Sequence, residues 1–85
     1  MREFEYVIRD EVGIHARPAG ALAKKAKEYQ SQIIIEAEGR HADASKLMAV
    51  MGLGVKCGAT VTVKAEGVDE EVAIAEMKEF FESNL

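Results

Sequence analysis

An imidazole, a guanidinium and a proline fall within four consecutive residues, His15 to Pro18, in the stretch GIHARPAG from Gly13 to Gly20. A histidine ring is a nucleophile as well as an acid or base, and an arginine presents a planar fork of donors that matches phosphate oxygens. Pro18 suits the first turn of a helix, where a missing amide hydrogen costs nothing, and Gly13 allows a tight approach into that turn. A helix is therefore predicted to begin near Ala16, with His15 at its start. The free amide hydrogens there and the positive end of the helix dipole make an anion cradle of Ala16, Arg17 and Pro18 beside the imidazole. Phosphohistidine is the natural product of that arrangement. The plainer reading, a solvated surface histidine, accounts for His15 alone but not for its company. The stretch has no serine nucleophile with an orienting carboxylate and no second histidine or cysteine at metal-ligand spacing, which argues against triad hydrolysis and zinc chemistry.

The elements that must hold this stretch are legible on either side. Phe4, Tyr6 and Ile8 alternate with Glu5 and Val7, as in a strand with one buried face, whereas Ala19, Leu22, Ala23 and Ala26 recur at helical spacing. His15 is thus expected at a strand-to-helix junction. Ser31–Glu38 carries the β-branched run Ile33-Ile34-Ile35, and Gly39 offers a turn into Arg40–Asp43, so a hairpin is predicted, with His41 exposed on its second strand. From Leu47 to Val55 every residue is apolar or glycine. A short helix there is expected to begin at Lys46 with Ser45 as its N-cap and to end at Gly52 and Gly54. It can turn only one side to so small a core, so Leu47, Met48 and Met51 are expected at the surface, where adaptable methionines suit several partners, while Val50 and Leu53 are buried. Val61, Val63 and Ala65 alternate with Thr60, Thr62 and Lys64 in a further strand. Asp69-Glu70-Glu71 opens a last helix whose stripe is Ala73, Ile74, Met77, Phe80 and Phe81. The order strand, helix, hairpin, helix, strand, helix predicts an α+β fold of split βαβ type, helices on one face of an antiparallel sheet.

Composition sets the bounds. A chain of 85 residues is expected to form one domain, residues 1–85, with a radius of gyration of ~12 Å. With no signal-like or membrane-length apolar run it is expected to be cytoplasmic and not inserted in a membrane, and the single Cys57 excludes an internal disulfide and suits a reducing compartment. A net charge of −4 argues against a nucleic-acid surface. The cations Arg17, Lys24, Lys25 and Lys27 nonetheless gather on or beside the first helix, whereas acids crowd the C-terminal third. An acidic partner docking on the first helix would explain that asymmetry, and a solvated lysine face is the alternative.

GIHARPAG resembles the active-site segment of the HPr family, the histidine-containing phosphocarriers of the bacterial sugar phosphotransferase system. Lys46–Gly54, KLMAVMGLG, is similar to the second helix and following turn of that family, and Ala65–Glu70, AEGVDE, to its last strand-to-helix corner. The resemblance implies an open-faced β-sandwich: a four-stranded antiparallel sheet with three helices on one face. It implies a monomeric carrier, a substrate of other enzymes and not an enzyme itself, which uses no metal or cofactor. His15 would accept a phosphoryl group on its δ nitrogen from phosphorylated enzyme I, charged by phosphoenolpyruvate. It would then pass the group to sugar-specific enzyme IIA domains, with Arg17 as the stabilising partner. Lys24, Lys27, Leu47, Met48 and Met51 would form the partner interface. Two further roles belong to relatives of this kind: a regulatory paralogue of the nitrogen type, and a docking partner of transcription regulators that lacks the histidine and does not transfer. Gram-positive members carry a regulatory serine where this chain has Lys46, with Ser45 adjacent. Ala16 supplies no hydroxyl to cap the first helix.

Overall fold

A computed structural model describes all 85 residues, in the order β1 (Arg2–Val7), α1 (Ala16–Ala26), β2 (Gln32–Ala37), β3 (Arg40–Asp43), α2 (Leu47–Gly52), β4 (Thr60–Glu66) and α3 (Glu70–Asn84). The strands form one antiparallel sheet in the order β1-β4-β2-β3. Since β1 and β2 both run antiparallel to β4, they are parallel to each other with β4 inserted between them. The pair β3 and β4 brackets β2 in the same way. The helices α1 and α2 are therefore the crossovers of two interlocked split βαβ units, the topology that the element order predicts. The Cα radius of gyration, 11.3 Å, is close to the expected value.

Register explains which face is covered. Phe4, Val63, Ile35 and Ala42 lie side by side across the four strands, as do Ala65 and Ile33 one step along. All but the half-buried Phe4 are buried beneath the helices. The opposite row, Glu5, Thr62, Glu36 and His41, faces outward, with Lys64 bonded to Glu36 at 3.0 Å. A polar open face and an apolar covered one follow from the period of two. Phe81 of α3 is fully buried and meets Phe4, Tyr6 and Phe80 edge-on at 5.7, 5.6 and 6.2 Å between ring centroids. Deleting such a ring from a core costs about 3–5 kcal/mol.

The start of α1 falls at Ala16 as expected, whereas that of α2 departs from expectation by one residue. Lys46, not Ser45, is the N-cap of α2, with extended φ and ψ of −110° and 102°. The Ser45 hydroxyl and amide both donate to Asp43 Oδ1, at 2.6 and 2.9 Å. The acid closes a local turn that takes the hydroxyl away from the helix. Ala16 is the first residue inside α1, so a hydroxyl there would not occupy the capping position, which is held by His15.

Asp69 holds the N-cap position of α3, but its side chain makes no capping bond. Its carboxylate accepts the Gln30 and Ser31 amides at 2.9 and 2.8 Å and the Ser31 hydroxyl, tying the β4–α3 corner to the α1–β2 corner. Gly67 lets the two corners touch: its φ is +155°, and a Cβ there would lie 2.6 Å from Ser31 Cα. The Ser31 hydroxyl first, then the Gln30 amide, hold the Asp69 carboxyl below its ordinary value. A carboxyl depressed on folding stabilises the fold above its unfolded value and loses that contribution as pH falls through the folded one, so the effect fades below about pH 4. Ser31→Ala should lower the melting temperature by roughly 5–10 °C at neutral pH. Calorimetry of both proteins from ~pH 6 to ~pH 3 should show that gap closing, and a constant gap would refute the coupling to Asp69.

Candidate functional site

The link between β1 and α1 is fastened at several points before it reaches His15. The Ile8 amide donates to Ala59 O at 2.9 Å and the Gly58 amide to Ile8 O at 2.8 Å, so β1 stays paired just beyond its last residue. The Arg9 and Asp10 amides both donate to Leu85 O, at 2.6 and 2.8 Å, and the Arg9 guanidinium reaches Glu82 O. The end of α3 thereby holds the loop. The Ile14 amide donates to Val55 O at 3.0 Å, which joins the far side of the loop to the segment after α2. Gly13 is needed for that approach. Its φ is +84°, and a Cβ there would stand 2.6 Å from Lys56 Cα.

His15 is the N-cap of α1, with φ −106° and ψ −174°, and its carbonyl accepts the Ala19 amide at 2.9 Å. Its side chain makes no capping bond and is partly exposed. The first amides of a helix have no partner inside it, and Pro18, third in the helix, has no N–H to leave open. The free donors beside the ring are thus the amides of Ala16 and Arg17, at the positive end of the helix dipole. Pro18 itself is buried. Arg17 is exposed and has no hydrogen-bond or ion-pair partner in the chain, so its fork is free for an outside anion. Ring and free amides thus share the start of α1, with Arg17 second in the helix.

The acid nearest the ring is Asp10, whose Oδ1 lies 3.9 Å from His15 Nε2. Sequence reasoning did not single it out. The only signal was an acid shortly before a glycine turn, and nothing in periodicity relates it to the ring.

The α2 face lies beside α1 and is open: Leu47, Met48 and Met51 are 39, 76 and 36% exposed, whereas Val50 and Leu53 are buried. Lys24, Lys27 and Lys46 are exposed without ion-pair partners. Lys25 is different. Its ammonium turns to Glu28 and to Glu76 of α3, at 3.4 and 3.3 Å, and the Tyr29 hydroxyl also donates to Glu76. Those bonds, Tyr29 first, hold the Glu76 carboxyl below its ordinary range. Lys25 therefore joins the two long helices and is not part of the free basic face. Another residue absent from the sequence reading is Arg40, which donates to the Leu53 and Gly52 carbonyls and so closes the end of α2. Cys57 is exposed, and His41 is exposed on β3. No three His, Cys, Asp or Glu side chains converge as a metal site would require, and no helix is long and apolar enough to cross a membrane.

Comparison with known proteins agrees with this geometry. The family model described as PTS HPr component phosphorylation site matches residues 2–83. The phosphocarrier protein HPr of Mycoplasma genitalium is 39% identical over 85 residues, covering 99% of this chain and 97% of its own. The crystal structure of HPr from Thermoanaerobacter tengcongensis superposes with a TM-score of 0.93 at 38% identity, over 98% of this chain and 93% of that one. Crh, the Bacillus subtilis catabolite repression protein, gives 0.78 at 28% identity over 100 and 98% of the two chains, and its crystal structure is described as a swapped, intertwined dimer. A free imidazole at a helix start, on an open-faced sandwich matched along nearly its whole length, belongs to the HPr family: this chain is a phosphocarrier of the phosphotransferase system and not an enzyme.

Proposed function

We propose that His15 accepts a phosphoryl group from phosphorylated enzyme I, itself charged by phosphoenolpyruvate, and passes it to sugar-specific enzyme IIA domains in carbohydrate uptake. The observation that carries this is the uncommitted His15 ring at the N-cap of α1, beside the unpaired amides of Ala16 and Arg17 and the partnerless Arg17 guanidinium. An imidazole nitrogen attacks well and leaves well, so transfer can run in either direction, and the chain needs no cofactor of its own for it. Amides and guanidinium meet the charge that the phosphoryl oxygens bring.

The reading extends to the surface around the ring. Lys24, Lys27 and Arg17 supply positive charge, and Leu47, Met48 and Met51 supply apolar area, on two adjacent helices. Such a patch suits a partner that is acidic at its rim and apolar at its centre. The protein acts as a cytoplasmic monomer of one domain, without nucleic acid. Lys46 holds the place of the family's regulatory serine, and Ser45, bonded to Asp43, is a poor substitute because its hydroxyl points back into the hairpin. The carrier therefore escapes serine-kinase control. A second reading, a regulatory paralogue with the same His15 chemistry, differs only in its acceptors and is separated by whether a sugar-specific acceptor is charged.

His15→Ala should retain the fold and lose all acid-labile phosphate after incubation with enzyme I and phosphoenolpyruvate; undiminished labelling would remove His15 from its role. Arg17→Ala should slow transfer by ~10- to 100-fold in stopped-flow or quench measurements, because one charged donor is lost while the nucleophile remains. Met51→Glu should weaken enzyme I binding by at least ~10-fold in calorimetric titration while the melting temperature hardly changes, and unfolding would instead assign Met51 to the core. With the family's kinase and ATP, the chain should gain no acid-stable phosphate and Lys46→Ser should gain one. Mass-spectrometric detection of phosphate on Ser45 would contradict this.

A further inference from the structure

We propose that Asp10 is a positioning residue for His15: its carboxylate keeps a proton on Nε2 and so leaves Nδ1 as the attacking nitrogen. The inference deepens the reading of His15 as phosphoryl acceptor and rests on it. Its basis is the geometry of the loop. Asp10 is held at three points: its amide donates to Leu85 O at 2.8 Å, its carbonyl accepts the Gly13 amide at 3.0 Å, and its Oδ1 accepts the Val12 amide at 2.9 Å. That same Oδ1 faces His15 Nε2 at 3.9 Å, and the two side chains are only 31 and 39% exposed. On the other side of the pair, the His15 amide donates to Gly13 O at 3.1 Å and its carbonyl accepts from Ala19. The Asp10 carboxylate cannot leave its place without opening the turn, and the His15 backbone cannot move without losing the first bond of α1.

A neutral imidazole carries one proton on one of two nitrogens, and a fixed anion on the Nε2 side favours the tautomer protonated there. The Nδ1 lone pair is then free. When it attacks the phosphorus of a phosphorylated donor, the Nδ1–P bond forms as the donor's bond to phosphorus breaks, and that electron pair returns to the donor. The His15 ring still bears its Nε2 proton and is now a cation, and the Asp10 carboxylate faces the new positive charge. This is the service a buried carboxylate gives an imidazolium in a hydrolytic triad. On discharge the Nδ1–P bond breaks, its pair returns to Nδ1, and the ring is neutral again with the same proton in place. No proton has to move in either direction.

Asp10→Asn removes the charge but leaves an oxygen for the Val12 amide, and Asp10→Ser keeps the turn with a shorter side chain. Heteronuclear NMR of the imidazole nitrogens in the unphosphorylated protein should show Nε2 protonated and Nδ1 bare in the wild type, and an averaged pattern in both variants. Transfer to and from His15 should slow by about two- to fivefold in the variants, as for the loss of one partly exposed charge pair. Nitrogen shifts that are the same in the wild type and both variants overturn the proposal, and so do unchanged transfer rates. A wild type with the Nε2-protonated pattern that accepts no phosphoryl group would overturn instead the function proposed for His15, while the NMR contrast would still support the hold of Asp10 on the ring.

Discussion

The structure depends on β4 finding partners on both of its edges. Six residues of β1 and five of β2 align with it, so the first, second and last strands of the chain become one surface only through it. Its buried side chains, Val61, Val63 and Ala65, then form the middle of the apolar row on which α1 and α3 rest. A one-residue slip of this strand would exchange them for Thr60, Thr62 and Lys64 and destroy the core in a single step. The two crossover helices need no other constraint on their direction, since strands that are parallel but one apart leave room above the intervening strand for a helix.

The loop that carries His15 borrows its rigidity from this frame. It contains little regular structure, yet its backbone is bonded to the segment before β4, to the residue after α3 and to the segment after α2. Those bonds come from two parts of the chain far apart in sequence, the link between α2 and β4 and the residue after α3. The backbone that carries the partly exposed His15 is therefore held in place, which is what the proposed transfer between partners would require. On the proposed function the neighbouring patch would work by the opposite means: unbranched methionines on a short helix can adjust to differently shaped partners.

Much of this is legible in the residues because it is local. Alternation marked the covered faces of β1 and β4, and GIHARPAG marked a helix start with a histidine on it, since glycine, proline and alanine each have few conformational uses. What escaped were side-chain bonds between elements. Ser45 looks like a cap by type and spacing, but an acid two residues earlier competes for its hydroxyl and wins. Asp69 looks like the acid of a first turn, and its carboxylate serves another corner of the molecule. Lys25 reads as one more surface cation until α3 brings Glu76 to it. Asp10 is marked only as an acid shortly before a glycine turn, which says nothing of the ring it faces. Each of these turns on which of several polar groups lies within reach in three dimensions, and a linear string of residue types does not encode that.

The bonds from Arg9 and Asp10 to Leu85 join opposite ends of the chain, and β1 pairs with a strand from its last third. Contacts so far apart in sequence form late, because the entropy of closing long loops must be met before they contribute anything in return. Helix α1 can flicker into existence early, but the backbone that aims His15 cannot be in place until β4 has docked and α3 has swung its last turn back to the loop. A half-folded chain would thus carry the histidine without the site. On the proposed function, competence to take up phosphate would arrive together with the final closure of the molecule, and a partner that recognises the finished surface would discriminate against copies that have not yet folded.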